Sequence, residues 1–388
     1  MLCRGANLRA WIAGFVAALC LGAAPPASAA FKRGVNLSHW LQYDGRQPVR
    51  PEDMQLIAAA GFDHVRLPFD PVLLGWDPLA AQPDSPLPGV ARLEAGVDMA
   101  LATGLSVIVD FHPTASTQEV IEGKPAARSA YVALWSWLAK RLSSRPADRV
   151  AFELMNEPQY YARGATAWNV LQSRAAAEVR SQAPRNLLLL TGIHGSSIDA
   201  LERIAAVDDR NVCYVFHFYD PQLVTHLGAD WDPYPDKAEG MMRGLVYPAT
   251  DMTMAKVEMK PGAKVTVVSE AVRKYLNEGW NYERIAERIE GARAWAASNH
   301  LCLQATEFGA LRGDLSTPSR LRWLTDVRRI FEDTNVGWTI WDYADLFGIA
   351  VTTGAVEHIN ENTTVVLNPE RISRSFDPLA LAALGFRP

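Results

Sequence analysis

Two glutamates follow apolar segments that are typical of buried β-strands. Glu157 lies in FELMNEP (Phe152–Pro158), and Pro158 must stop the strand because it cannot donate to a ladder. Glu307 lies near the end of a second such segment, LCLQATEFG (Leu301–Gly309). An isolated Asn-Glu pair is more often a solvated strand end, but a buried carboxylate needs a partner or a function. Two carboxylates in this setting suit glycoside hydrolysis, in which one is the acid/base and the other the nucleophile.

Apolar strand-like segments alternate with helical patterns along the chain. This alternation predicts a parallel sheet, and eight units predict an α/β fold, a single-domain (β/α)8 TIM barrel with a long loop after strand six. The strand segments are Gly34–Leu37, Phe62–Leu67, Leu105–Phe111, Val150–Met155, Leu187–Leu190, Val212–Phe218, Cys302–Thr306 and Trp338–Trp341. Segments with helical spacing of apolar residues are Pro51–Ala60, Leu93–Thr103, Ser129–Leu142, Ala165–Gln182, Ile198–Ala206, Tyr282–Ser298 and Pro318–Phe331.

Each of the eight strand segments ends in polar or aromatic side chains. In an α/β barrel the chemistry lies at the C-terminal ends of the strands. One histidine at such a position is more often structural, but eight such ends together predict a binding cleft. In strand order the residues are Asn36, His39 and Trp40; Arg66; Asp110 and His112; Asn156 and Glu157; His194; His217 and Tyr219; Glu307; Trp341 and Asp342.

The order of these residues resembles glycoside hydrolase family 5, a family of retaining β-glycosidases on a (β/α)8 barrel. The resemblance covers nearly the whole chain after residue 30, from GVNLSHWL to WTIWDYAD. GVNLSHWL is also similar to the opening of the family's exo-β-1,3-glucanases, but it departs from that opening at Ser38 and His39, so it does not decide the substrate. The residues that match the family pattern are Arg66, His112, Asn156, Glu157, His217, Tyr219, Glu307 and Trp341.

The resemblance implies that Glu157 is the acid/base and Glu307 the nucleophile. A general acid must be protonated at working pH, so its pKa must be raised by burial or by a nearby like charge. The nucleophile must stay ionised, so it needs cationic or hydrogen-bonding neighbours. Arg66 is expected to keep Glu307 charged, and Tyr219 is expected to hydrogen-bond it. The two carboxyl groups are expected to lie about 5–5.5 Å apart, as in retaining enzymes.

The other matched residues are expected to bind the sugar. Asn156 should contact the 2-hydroxyl group, a contact that strengthens in the transition state. His112 and His217 should orient the substrate and the carboxylates, and Trp341 should form the floor of the −1 subsite. His39 and Trp40 are expected to add substrate contacts. Candidates for outer subsites, each of which could instead be a packing residue, are Trp40, Trp76, Trp168, Trp231 and Trp280.

Glu153 could be mistaken for another catalytic acid. It lies four residues before Glu157 and therefore on the same face of the strand. Because it lies deeper in the predicted barrel, we expect it to be the structural partner of an interior base.

The first thirty residues resemble a secretory signal. Arg4 and Arg9 precede the apolar run Trp11–Gly22, and Ala27–Ala29 forms an A-x-A cleavage pattern. We therefore predict a signal peptide over residues 1–30, a catalytic domain over 31–388, and a secreted or periplasmic protein that does not insert into the membrane after cleavage.

The composition limits the partners. A formal charge of −5 gives no reason to expect nucleic acid. The sequence contains no H-E-x-x-H, no paired-cysteine spacing and no glycine-rich phosphate loop. We therefore expect neither a metal nor a cofactor, and a monomer that binds a β-linked oligo- or polysaccharide.

Two further expectations concern the cysteines and the segment after strand six. Cys213 and Cys302 lie near the starts of two strands that could be neighbours, and we expect buried free thiols, although export would permit a disulfide. The segment Asp220–Met259 is long and contains aromatic residues. We expect it to fold over the cleft with Trp231 or Tyr247 on the substrate side.

The function that these features predict is a retaining endo-β-1,4-glucanase that acts by double displacement in polysaccharide catabolism. A β-1,3-glucanase, a β-mannanase and a glycan-trimming enzyme of exopolysaccharide export remain as alternatives. A non-catalytic glycan-binding barrel is less consistent with the sequence, because a binding protein does not need both Glu157 and Glu307.

Overall fold

The barrel is closed and entirely parallel. The computed structural model describes residues 31–387 apart from 43–44, 81–86, 161, 232–236, 251–252 and 359–363. Within these residues eight parallel strands form the ring β1-β10-β9-β6-β5-β4-β3-β2, which confirms the predicted architecture. The predicted signal peptide lies outside the described residues. The barrel strands are β1 (Arg33–Asn36), β2 (His64–Phe69), β3 (Ser106–Phe111), β4 (Val150–Glu153), β5 (Leu187–Thr191), β6 (Val212–Phe218), β9 (Cys302–Phe308) and β10 (Gly337–Ile340).

Helices lie between consecutive barrel strands, with a further helix near the C-terminus. The predicted helical segment 198–206 is instead a short 3-10 helix, Ile198–Arg203. The helices are α1 (Pro51–Ala60), α2 (Val90–Ala102), α3 (Ala115–Gly123), α4 (Pro125–Leu142), α5 (Gly164–Gln182), α6 (Ile193–Ser196), α7 (Gln222–Thr225), α8 (Ala238–Met241), α9 (Thr253–Lys256), α10 (Val265–Glu278), α11 (Tyr282–Ser298), α12 (Thr317–Asp333) and α13 (Pro378–Ala383). Among the described residues, each helix is too short or too polar to cross a lipid bilayer.

Strand residues that face the helices form one large apolar layer with them. Trp135 of α4 and Trp338 of β10 are fully buried in this layer, and edge-to-face ring contacts join Trp338 to Phe308 of β9. The strands are nearly continuous runs of apolar residues because both faces of a parallel barrel strand are covered. This rigid ring fixes the positions of the side chains at the strand ends.

A disulfide joins Cys213 of β6 to Cys302 of β9. The expectation of free thiols is therefore wrong. The two residues are direct partners in the register of neighbouring parallel strands, and their Cα atoms lie 4.4 Å apart, which is within the range that a disulfide can bridge. This pairing depends on the barrel register across a separation of 89 residues.

The chain after β10 adds antiparallel strands that the sequence did not predict. Arg374 connects this region to the beginning of the barrel, because its guanidinium donates to Asp53 of α1 at 3.1 Å and to Gln47 at 3.0 Å. These strands are β11 (Ala350–Gly354), paired with β14 (Ile372–Phe376), and β12 (Val356–His358), paired with β13 (Thr364–Val366). A third antiparallel pair, β7 (Met242–Arg243) with β8 (Glu258–Met259), lies in the segment after β6.

Candidate active site

Arg66 of β2 lies at the centre of the polar residues inside the barrel. Its side chain is fully buried, and Nη1 donates to Oε1 of Glu307 at 2.7 Å. Nε and Nη2 form a bidentate pair with Glu153 at 2.8 and 2.9 Å, and Nη2 also lies 3.0 Å from Asp110. A buried charge must be paired and hydrogen-bonded, and the three carboxylates raise the pKa of Arg66 well above its ordinary value against the effect of burial. Glu153 is thus the structural partner that its depth in the barrel predicted.

Glu307 accepts hydrogen bonds from two donors. Besides Arg66, the hydroxyl of Tyr219 donates to Oε2 at 2.9 Å. Both contacts match the sequence-based expectation. A β-bulge between β6 and β9 places His217 opposite Glu307 in the register; such irregularities beside active sites redirect side chains. The surroundings of Glu307 therefore supply the cationic and hydrogen-bonding neighbours that a nucleophilic carboxylate needs.

Glu157 has a different environment. Its Oε1 lies 2.9 Å from Nδ1 of His217, and about a third of its side chain (35%) is exposed toward the cleft. Burial of most of the side chain raises the pKa of Glu157, an effect that the positive charge of Arg66 only partly opposes. A raised pKa keeps a proton on the carboxyl group at higher pH, as a general acid requires.

His217 lies between the two carboxyl groups. Its Nδ1 is 2.9 Å from Glu157 and 3.4 Å from Glu307. One ligand-type atom from each of the three residues lies within 4.8 Å of the other two. This separation of the carboxyl oxygens is on the retaining side of the ranges for glycosidases, since inverting enzymes need about 6.5–9.5 Å. Burial lowers the pKa of His217 to about 4, so the imidazole is neutral near neutral pH.

A chain of contacts orients Asn156. Oδ2 of Asp110 lies 2.9 Å from Nδ1 of His112, and Nε2 of His112 lies 3.2 Å from Nδ2 of Asn156. Burial lowers the pKa of His112 to about 4, so the ring is neutral. With its proton on Nδ1 toward Asp110, the ring accepts at Nε2 from Asn156. Because Arg66 donates to Oδ1 of Asn156 at 2.9 Å, the amide is held at both ends and directs its second N–H away from His112.

Trp341 and His112 form one wall of the site. Their rings stack at a centroid separation of 5.8 Å and an angle of 17°. Trp341 is partly exposed, as an aromatic platform for a sugar ring must be. Its backbone carbonyl passes so close to Gly309 that a Cβ there would overlap it. This close approach explains why a glycine follows the strand that carries Glu307.

The two residues after β1 that were predicted to contact the substrate have different surroundings, and the contact predicted for His39 stays a prediction. His39 lies 3.3 Å from the carboxylate of Asp345, which also holds Arg46 at 2.7 Å. Trp40 is only 8% exposed, and its ring edge packs against Gly96 of α2. Its ring is therefore a packing group of the barrel wall, and the expected substrate contact is wrong.

The other tryptophans divide between the core and the cleft side. Trp76, Trp168 and Trp280 are buried and belong to the large apolar layer. Trp231 is partly exposed and packs against the same small apolar cluster as Tyr219 and Trp341, and its place on the substrate side stays a prediction. The other aromatic residue proposed for this role, Tyr247, is buried and donates a hydrogen bond to Asp326 of α12 at 3.1 Å. Its expected place on the substrate side is therefore wrong.

Two groups near the site have surroundings that the sequence did not predict. Asp342 and Asp345 follow Trp341, and burial together with the neighbouring Asp345 raises the pKa of Asp342 to about 6. Gln118 of α3 hydrogen-bonds the backbone on either side of Glu157. Asp342 carried a signal, since it ends an apolar strand, but Gln118 carried none because α3 was not predicted.

Known proteins resemble this chain in sequence and in fold. The family model "Cellulase (glycosyl hydrolase family 5)" matches residues 29–346. Endoglucanase C from Acetivibrio thermocellus is 28% identical over 329 residues, which cover 81% of this chain and 91% of that protein.

Solved structures show the same fold. Thermotoga maritima Cel5A in complex with cellobiose has a TM-score of 0.69 at 21% identity and covers 93% of this chain and 100% of that one; its complex with mannotriose has a TM-score of 0.68 at 20% identity, with the same coverage. The cellulose synthase subunit Z from Clostridioides difficile has a TM-score of 0.68 at 21% identity and covers 91% of this chain and 99% of that one. At these identities the structures establish the fold alone. Because the family match spans most of the chain, the protein belongs to glycosyl hydrolase family 5, the cellulase family, and is an O-glycosyl hydrolase.

Proposed function

We propose that this enzyme cleaves internal β-1,4-glucosidic bonds of a glucan with retention of configuration. The observation that carries the proposal is the pair of carboxyl groups within 4.8 Å that have unlike surroundings. Glu307 receives hydrogen bonds from Arg66 and Tyr219, whereas burial raises the pKa of Glu157. A short separation leaves no room for a water molecule behind the sugar, so a carboxylate attacks instead.

The first half of the reaction forms a glycosyl-enzyme. An oxygen of Glu307 attacks the anomeric carbon while the bond to the leaving oxygen breaks, and Glu157 gives its proton to that oxygen. Asn156 donates its second amide N–H to the 2-hydroxyl group, a contact that strengthens as the positive charge develops on the ring. Trp341 packs against the apolar face of the same sugar.

The second half releases the sugar. Glu157, now ionised, takes a proton from water, the resulting hydroxide oxygen bonds to the anomeric carbon, and the bond to Glu307 breaks. Both carboxyl groups return to their starting states. His217 contacts both groups, so it keeps their separation constant while the proton leaves Glu157 and later returns.

The substrate class rests on the relatives. Endoglucanase C and the cellobiose complex of Cel5A support a β-1,4-glucan, and the mannotriose complex keeps β-mannan as an alternative. The likeness to a cellulose synthase subunit supports trimming of an exported polysaccharide as the second candidate role. We also propose that the protein is exported, since the Cys213–Cys302 disulfide suits an oxidising compartment, and that it acts as a monomer.

Product analysis tests the proposal. The purified enzyme is incubated with cello-oligosaccharides, β-1,3-glucan, mixed-linkage glucan and mannan, and the first product is followed by NMR. We expect β-anomers and mid-chain cleavage of cello-oligosaccharides, with a Glu307→Gln variant as the inactive control. An α-anomer as first product would refute the double displacement, and cleavage of mannan alone would replace the substrate assignment.

A further inference from the structure

Gln118 of α3 contacts the backbone on both sides of Glu157. Its Nε2 donates to the carbonyl oxygen of Asn156 at 3.2 Å, and its Oε1 accepts from the backbone N–H of Gln159 at 3.1 Å. The side chain is only 8% exposed, so water competes little for either contact. One amide thus holds the peptide group before the acid/base residue and the peptide group after Pro158.

The turn that presents Glu157 has an unfavourable backbone conformation. Glu157 has a φ of 44°, in the left-handed region that residues with a Cβ rarely adopt. Pro158 has no N–H with which to brace the turn. Such a conformation persists only where the surroundings over-determine it, and Gln118 supplies two of the constraints. A third comes from Gln159, whose side-chain amide donates to the carbonyl of Glu157 at 3.0 Å.

The carboxyl group of Glu157 has little tolerance for movement of this turn. It contacts Nδ1 of His217 at 2.9 Å. Gly195 is also a neighbour, since a Cβ built there would lie 3.9 Å from the carboxyl carbon. A rotation of the turn would move the acid away from the glycosidic oxygen, and misplacement of about 1 Å can cost on the order of a hundredfold in rate.

We propose that Gln118 is a positioning residue for the acid/base function of Glu157. It acts through the backbone and touches neither the substrate nor the carboxyl group. The inference rests on the proposed function, because it assigns Gln118 to proton donation and not to nucleophilic attack. Loss of Gln118 should therefore impair proton transfer to the leaving group more than attack by Glu307.

Leaving-group dependence distinguishes this role from general support of the fold. A poor leaving group such as phenol needs the proton of Glu157, whereas 2,4-dinitrophenolate departs without it. The Gln118→Met variant removes both hydrogen bonds at similar volume. We expect its kcat/KM to fall roughly tenfold or more with phenyl β-cellobioside, a part of the 10²–10⁴ that a general acid contributes. With 2,4-dinitrophenyl β-cellobioside the fall should be threefold or less, by the same reasoning.

Gln172 of α5 provides a matched control. Its Nε2 donates to the carbonyl of Thr191 at 3.1 Å, its Oε1 accepts from the N–H of Thr191 at 2.8 Å, and it is buried. It therefore holds the end of β5 much as Gln118 holds the turn after β4, but no catalytic carboxylate lies between the two backbone groups that it binds. Gln172→Met should change kcat/KM by the same factor with both cellobiosides.

A second variant, Gln118→Leu, also removes both hydrogen bonds and introduces no charge beside Glu157. It should show the same leaving-group dependence, and it serves if Gln118→Met does not fold. Equal losses with both glycosides in the folded Gln118 variants would refute the positioning role. If the unaltered enzyme hydrolyses neither cellobioside, the proposed substrate is wrong. The comparison then uses the matching aryl β-mannosides. Equal losses of kcat/KM with those two substrates would again refute the positioning role.

Discussion

Replacement of Arg66 should destabilise the protein as well as inactivate it. The guanidinium is fully buried and pairs with Glu307, Glu153 and Asp110 at 2.7–3.0 Å. Removal of one partner from a buried ion pair costs about 3–5 kcal/mol, because the other charge is left uncompensated. Since whole domains have a free energy of unfolding of about 5–15 kcal/mol, Arg66→Met should lose a large fraction of its stability. A loss of activity in an Arg66 variant must therefore be interpreted together with its free energy of unfolding.

A second substitution separates the two effects. Glu153→Gln removes the carboxylate that forms the bidentate pair with Arg66 and keeps an acceptor for the hydroxyl of Thr306, which now donates to Glu153 at 3.1 Å. In the double variant Arg66→Met/Glu153→Gln, one of the buried carboxylates that the loss of Arg66 leaves without a counter-charge is replaced by a neutral amide. We expect it to recover about 1–3 kcal/mol of the lost free energy of unfolding, the cost of one unsatisfied buried polar group. It should recover none of the activity, because Glu307 still lacks its cation.

The pH dependence of stability provides an independent measure. Burial raises the pKa of Asp110 to about 7 even with Arg66 present, and it also raises the pKa of Glu153. A raised folded-state pKa contributes stability below the unfolded pKa that is lost as the pH rises through the folded value. Without Arg66 these pKa values rise further, so the stability difference between the unaltered enzyme and Arg66→Met should grow as the pH rises above about 7, where Asp110 ionises in the unaltered enzyme.

Urea denaturation at several pH values and kcat/KM with 2,4-dinitrophenyl β-cellobioside measure these quantities. An Arg66→Met variant with unaltered stability at pH 8 would refute the account of the buried charge cluster. Near-normal kcat would show that Glu307 does not need Arg66. Recovery of activity in the double variant would mean that Arg66 serves only to neutralise Glu153.

Further predictions follow from the two carboxylates and their surroundings. Glu157→Ala should still form the glycosyl-enzyme from an activated aryl glycoside and give a β-glycosyl azide on addition of azide, whereas any azide product of Glu307→Ala should be the α-anomer; the opposite stereochemistry would reverse the assignment. The kcat/KM of the unaltered enzyme should fall as the pH rises above the ordinary range of a glutamic acid, because the pKa of Glu157 is raised, and Glu157→Gln should lack this limb in a pH profile. Trp231→Ala should raise KM for longer oligosaccharides severalfold and leave a small activated glycoside unaffected, and equal effects would indicate a scaffold role. Cys213→Ala should lower the free energy of unfolding by about 2–4 kcal/mol in denaturant titrations, and the loss should not add to that caused by a reductant.

The functional residues at the strand ends could be predicted because charged side chains are unusual in apolar segments. Arg66 and Glu307 lie within runs of apolar residues, where a charge without a function would be costly. A (β/α)8 barrel brings the C-terminal ends of its strands together, so the contact of 2.7 Å between these residues followed from the fold. The role of Glu153 followed from its depth on the same strand.

Other features depended on information that no short stretch of sequence contains. The pairing of Cys213 with Cys302 is set by strand register. Trp231 and Tyr247 lie in an irregular segment without a hydrophobic period, so the sequence could not tell which ring faces the cleft. Gln118 lies on a short helix with few apolar residues, and its partners are 38 and 41 residues away. Contacts between a side chain and a distant backbone leave no pattern in either segment.

We propose that the division of roles between the two glutamates follows from the position of a single cation. Arg66 donates directly to Glu307 and, on its other side, to Glu153, but it makes no direct hydrogen bond to Glu157 among the contacts of the described residues. Glu157 instead contacts His217, whose lowered pKa of about 4 makes it neutral. One carboxylate therefore has a charged donor and the other a neutral one, although the two lie within 4.8 Å. The raised pKa of Glu157 supports a proton on that residue, which the first step of the proposed reaction requires.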